Sequence, residues 1–140
     1  ALLGVRFAIP EESPKGAPVI FHTSASQPGL SLARDIAGFE ARIIEVSWYG
    51  DTEITLPLGA AFHSQRLQII SSQGGHVSPA VRTKTSHRAR LAQALALLDE
   101  ARLDSLITEI VAFEAISAEL PRILAPGAPG LVTAIQYNSL

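Results

Sequence analysis

Three short runs of small polar residues are the part of this sequence best suited to hold a ligand: Thr23-Ser24-Ala25-Ser26, Ser47-Trp48-Tyr49-Gly50 and Ser71-Ser72-Gln73-Gly74-Gly75. Each follows an apolar stretch that reads as a strand, and small side chains let a ligand approach the backbone closely. Any one of them is also an ordinary polar turn, so their interest lies in the recurrence at three strand ends. The four histidines, His22, His63, His76 and His87, are spaced too widely and irregularly for a local two-histidine metal site. His22 lies inside an apolar run just before a strand end, which suits a hydrogen-bonded core residue or a ligand contact. Trp48 and Tyr49 either wall a pocket or cap the core, and Glu11-Glu12 falls in a solvated turn. There is no G-x-G-x-x-G or G-x-x-x-x-G-K-[ST] phosphate loop, no G-x-S-x-G elbow and no cysteine. No catalytic constellation and no metal site is legible from spacing.

The elements that must position these runs follow from periodicity. Gly4 to Ala8 is a short strand candidate. Val19 to Thr23 is a near-continuous apolar run, as expected of a strand buried on both faces. Gln27 to Ala37 reads as a helix capped by Ser26, with Leu30, Ala33 and Ala37 on one face and Gly38 as a left-handed cap. Strands are expected at Ala41 to Val46 and Leu67 to Ser71, and later at Ile107 to Phe113 and Leu131 to Tyr137. Ser86 to Asp99 is a helix with Leu91, Ala94, Leu95 and Leu98 along one stripe. A short helix from Ala118 to Leu124 should hold Pro121 in its first turn, where a missing N–H costs nothing. Strands alternating with helices predict an α/β architecture, a mostly parallel sheet flanked by helices.

The 140 residues suit a single domain, and 47% hydrophobic against 17% charged residues excludes disorder. With 11 basic and 13 acidic residues the net charge is −2, which argues against nucleic acid as a partner. No run is long and apolar enough to span a membrane, and no signal-peptide pattern opens the chain, so neither membrane association nor secretion is expected. From Ile54 to Leu98 there is no acid but five bases, Arg66, Arg82, Lys84, Arg88 and Arg90. That stretch is a solvated face, an attractor for an anionic ligand or a contact for an acidic partner. Methionine is absent, which suggests a processed chain or a piece of a longer one.

The string Val19-Ile20-Phe21-His22-Thr23-Ser24-Ala25-Ser26, the helix to Gly38 and Ala41-Arg42-Ile43-Ile44-Glu45-Val46-Ser47-Trp48-Tyr49-Gly50 resemble the coenzyme domain of medium-chain, zinc-containing alcohol dehydrogenases. The order continues with Ile54 to Leu58 as a small extra strand, Gly59 to Gln65 as a short helix and Leu67 to Ser72 as the sixth sheet strand. Leu103-Asp104-Ser105-Leu106-Ile107-Thr108 is similar to the family's L-D-x-L-I-T return segment, and Leu131 to Tyr137 to its final strand. The chain departs from the family at Ser47, often glycine there, at Gly130-Leu131, where many members carry a base, and at Glu109 in place of histidine.

The resemblance implies a partial Rossmann-like fold with its first βαβ unit missing. It also implies an NAD- or NADP-dependent oxidoreductase acting on a small-molecule alcohol or aldehyde. Thr23, Ser24 and Ala25 would line the coenzyme's middle, Val46, Ser47 and Trp48 would lie beside the nicotinamide, and Ser71 and Ser72 would supply the sixth-strand contact. The glycine-rich loop, the zinc and the catalytic residues would lie outside this chain. A cytoplasmic location and a homodimer through the Leu67 to Ser72 edge strand, with Ile54 to Leu58 beside it, are expected. In the strand order 3-2-1-4-5-6 the loss of the first strands bares Val19 to Thr23, whose edge should then be covered by Gly4 to Ala8, by a neighbouring chain or by upstream residues. The alternative is a non-catalytic Rossmann-like module for nucleotide sensing or assembly.

Overall fold

The computed structural model describes residues 3–137, which fall into two compact units. The unit from Phe7 to His87 is built on a sheet of three parallel strands, β1 (Ala17–His22), β2 (Ala37–Glu45) and β3 (Gln68–Ser71), in that spatial order. Helix α1 (Gln27–Ile36) makes the crossover from β1 to β2, and the short α2 (Ala61–Ser64) precedes β3. The cap on α1 forms as expected: the Ser26 hydroxyl accepts the Gly29 N–H at 3.2 Å, and Pro28 occupies the first turn. Leu30 and Ala33 project from α1 onto Ile43, which has no exposed surface, with Ile20, Ile54 and Leu56 around them. Ala37, Ala41 and Leu67 form a second small cluster with Ile20 and Phe62.

The second unit holds residues 3–6 and those from Arg88 onward. Helix α3 (His87–Leu98) leads into it. Its sheet is the parallel pair β4 (Ile107–Ala112) and β5 (Val132–Gln136), joined through helix α4 (Ile116–Ile123). Arg122 of α4 pairs with both Glu119 and Glu109, and Phe113 stacks on Tyr137 at 4.6 Å. These parallel sheets and crossover helices make an α/β structure of partial Rossmann-like form.

Several expectations about individual segments are overturned. Gly4 to Ala8 is not a strand: it has no ladder partner, and Phe7 is exposed. The outer edge of β1 therefore has no neighbouring strand among the described residues, and the expected pairing of Gly4 to Ala8 as a strand is not formed. β1 is buried on one face only. Ile20 and His22 turn towards α1, whereas Phe21 on the opposite face is 68% exposed, because α1 packs against a single side. Ile54 to Leu58 is not a strand either; Pro57 offers no N–H for a ladder, and Ile54 and Leu56 pack under α1. Gly38 belongs to β2, not to a helix cap. It lies so close to Gly16 that a Cβ would stand 2.8 Å from the Gly16 carbonyl oxygen, and the left-handed residue is Glu40 (φ 57°). The leucine stripe of α3 stays exposed. In α4 the helix starts at Ile116, earlier than the pattern suggests, so Pro121 falls inside it and beyond the first turn.

Candidate functional site

Parallel pairing aligns residues that are far apart in sequence. The register sets His22 of β1 opposite Glu45 of β2, and Glu45 opposite Ser71 of β3, in one row at the carboxyl end of the sheet. The ladder continues one step further, with Val46 N–H donating to the His22 carbonyl (3.0 Å) and Ser72 N–H to the Glu45 carbonyl (2.8 Å). Residues in register on parallel strands point to the same face, so the row faces α1.

His22 is 5% exposed, and both ring nitrogens are engaged. Nδ1 lies 2.7 Å from Glu45 Oε2 and Nε2 lies 2.8 Å from Ser24 Oγ. Glu45 is anchored further by the Tyr49 hydroxyl, which donates to Oε2 at 3.0 Å, and by the Ser47 N–H, which donates to Oε1 at 2.8 Å. Burial works to raise the Glu45 carboxyl, but the donors from His22, Ser47 and Tyr49 together outweigh it and hold the group below the usual carboxylate range. The Tyr49 phenol is pushed up to about 12, first by burial and then by its bond to Glu45. An ionised carboxylate only accepts, so Nδ1 carries the proton and, in neutral imidazole, Nε2 is left to accept from the Ser24 hydroxyl. Ser24 Oγ in turn lies 2.8 Å from Ser26 Oγ, the acceptor of the Gly29 N–H.

The turn from β1 to α1 is tight. Ala25 is held at φ 47°, uncommon for a residue with a Cβ, and its N–H donates to Ser47 Oγ at 2.9 Å. Ser47 Oγ also reaches the His22 carbonyl at 3.3 Å, tying the first two polar runs together. Gly29 passes directly over the row; a Cβ there would fall 2.3 Å from Ser24 Oγ and 2.7 Å from His22 Nε2.

Beside this network, a cleft of about 410 Å³ opens between the ends of β2 and β3, lined by Glu45, Val46, Ser47, Trp48, Ser71, Ser72, Gln73 and Gly74. Five of the eight residues singled out in the sequence, Val46, Ser47, Trp48, Ser71 and Ser72, thus share one cavity. Thr23, Ser24 and Ala25 are not part of its wall and adjoin it through the Ala25–Ser47 bond. Trp48 is 89% exposed, so it borders the cleft and does not cap the core. His22 is the hydrogen-bonded interior residue that its position in the apolar run suggested. Sequence reasoning missed the Ser24–His22–Glu45 row. His22 ends β1 and Ser24 follows two residues later in the turn to α1, close enough in sequence to meet locally, but Glu45 joins them only through the pairing register.

Of the five bases between Ile54 and Leu98, Arg66 is paired with Glu40 at 2.9 Å, away from the carboxyl ends of the strands. Among the described residues no group of three or more His, Cys, Asp or Glu side chains could hold a metal ion. No helix among them is long and apolar enough to cross a membrane.

A short parallel sheet with its polar residues gathered at the carboxyl ends defines a partial Rossmann-like layer. The chain is similar in fold to a provisionally assigned alcohol dehydrogenase from Thermotoga maritima (20% identity, TM-score 0.56). That match covers 86% of this chain and 29% of the other. It is also similar to a provisionally assigned zinc-binding dehydrogenase from Sinorhizobium meliloti 1021, whose crystal structure holds NADP (14% identity, TM-score 0.57; 87% and 32% coverage). The chain spans about a third of the length of these solved proteins. No protein-family model and no curated protein matches it.

Proposed function

We propose that this chain is part of the coenzyme-binding region of an NAD- or NADP-dependent alcohol dehydrogenase, with the cleft between β2 and β3 taking the nicotinamide end. The observation that carries the reading is the cleft itself. It lies outside the carboxyl ends of a parallel sheet, where open α/β sheets bind their ligands, and its wall is rich in small residues. Ser47, Ser71, Ser72 and Gly74 leave the backbone accessible to a flat ring, and Trp48 borders the opening. When bound, the coenzyme supplies or accepts a hydride. The chain's own residues would hold it, Thr23, Ser24 and Ala25 along its middle and Ser71 and Ser72 as the contact from the end of β3. Zinc would belong, in this reading, to a catalytic domain outside this chain. Homodimerisation through β3 accords with the same reading, because its outer edge has no strand partner among the described residues and all four of its residues are exposed.

The test is titration of the chain with NADH and NADPH, following the fluorescence of Trp48, the only tryptophan, and the backbone amide shifts. Without a glycine-rich phosphate loop, much of the anion binding is lost. The expected dissociation constant is therefore about 1 mM, with shifts centred on Ser47, Trp48 and Ser72. Absence of shifts there at coenzyme concentrations on the order of 10 mM overturns the proposal.

A further inference from the structure

Beside the cleft, whose wall includes Glu45 but neither His22 nor Ser24, the row Ser24–His22–Glu45 has a geometry that coenzyme binding does not require. A hydroxyl, an imidazole and a carboxylate are joined in sequence at 2.8 and 2.7 Å, with the imidazole buried and the serine exposed. The carboxylate is itself fixed by the Tyr49 hydroxyl and the Ser47 N–H. The serine occupies the sharp turn between a strand and the helix that follows it, next to the left-handed Ala25. A nucleophile, its base and the group that orients the base are recognised by such mutual geometry, whatever their order along the chain.

We propose that Ser24 is an activated nucleophile, with His22 as its general base and Glu45 as the residue that positions His22, able to take the acyl group of a small neutral ester. The inference rests on the geometry of the row and not on coenzyme binding, which would use the same Ser24 as a contact and not as a nucleophile. As Ser24 Oγ attacks the ester carbonyl carbon, its proton passes to His22 Nε2. The carbon–oxygen bond to the leaving alcohol then breaks, and that oxygen takes the proton from Nε2. Water completes the cycle. It attacks the acyl carbon while giving a proton to Nε2, the bond to Ser24 breaks, and Ser24 recovers the proton, so ester and water become acid and alcohol. Glu45 holds Nδ1–H and stabilises the imidazolium that forms between the two steps. No charged side chain other than Glu45, itself fully engaged, enters the hydrogen-bonded row, which is why an uncharged ester is the substrate class.

The experiment treats the chain with a fluorophosphonate and locates the adduct by peptide mass mapping, then measures turnover of p-nitrophenyl acetate. One adduct on Ser24 is expected, lost in Ser24→Ala and in His22→Gln. Glu45→Gln should lower kcat roughly 10²–10⁴-fold with little change in KM, a split that simple unfolding of the site would not give. Gly29→Ala supplies a second test that leaves all three residues in place. Its methyl group intrudes on the Ser24–His22 bond, so labelling should fall while the far-ultraviolet circular dichroism is retained. Labelling spread over other serines, or labelling of Ser24 that persists in a folded His22→Gln variant, overturns the proposal, as does no labelling of the native chain.

Discussion

Replacing Gly29 with alanine sets two physical effects against each other, and the structure decides the sign. Gly29 is the third residue of α1. On helix propensity alone, exchanging an interior glycine for alanine stabilises by about 1 kcal/mol. Here the new Cβ would lie 2.3 Å from Ser24 Oγ, 2.7 Å from His22 Nε2 and 2.9 Å from Ser26 Oγ, separations at which something has to move. If Ser24 moves, the buried Nε2 loses its partner, which costs about 1–3 kcal/mol. If α1 lifts instead, Leu30 and Ala33 withdraw from Ile43, and such overpacking strain is typically about 1–3 kcal/mol. Either loss matches or exceeds the propensity gain, and the two together exceed it clearly. With both giving way, about 2–6 kcal/mol is lost against about 1 kcal/mol gained, so the expected net result is destabilisation of about 1–5 kcal/mol. Urea unfolding followed by far-ultraviolet circular dichroism measures it as a fall in the midpoint at constant slope. A variant as stable as the parent, or more stable, would refute the close packing of α1 over the His22–Ser24 bond.

The carboxyl of Glu45 is held below its ordinary value of 4.5 in the folded chain, so its stabilisation is fully present above that value. It is lost as the pH falls through the lowered one. Urea midpoints should therefore drop on acidification below about pH 4.5 by more in the parent than in Glu45→Gln; equal drops would show that Glu45 is not the linked group. Tyr49→Phe should remove from the ultraviolet titration a phenol that ionises only near pH 12, and a titration unchanged by the substitution would contradict the Tyr49–Glu45 bond. Ile69 lies in the middle of exposed β3, and Ile69→Lys should convert a dimer to monomers in sedimentation velocity. A dimer that persists unchanged places the interface elsewhere.

Local chemistry in the sequence was sufficient for the elements whose causes are local. Ser26 and Pro28 specify the start of α1 through one hydroxyl and one missing N–H, and the β-branched run Ile43-Ile44 marks the carboxyl-terminal part of β2. Parallel α/β architecture followed from the alternation of such segments, and the three polar runs followed from where the strands stop. What depends on a partner was out of reach. Gly4 to Ala8 has the apolar content of a strand but no neighbour to pair with. Phe21 belongs to a run that reads as buried on both sides, yet α1 packs on the opposite face and Phe21 is exposed. Pro121 lies inside α4 because the helix begins at Ile116, a boundary no capping side chain announces. The row of Ser24, His22 and Glu45 is the sharpest case. His22 and Glu45 are 23 residues apart, and a slip of one residue in the β1–β2 register would turn Glu45 to the opposite face. Side-chain chemistry supplied the three groups; only the pairing of the strands brought them within hydrogen-bond distance.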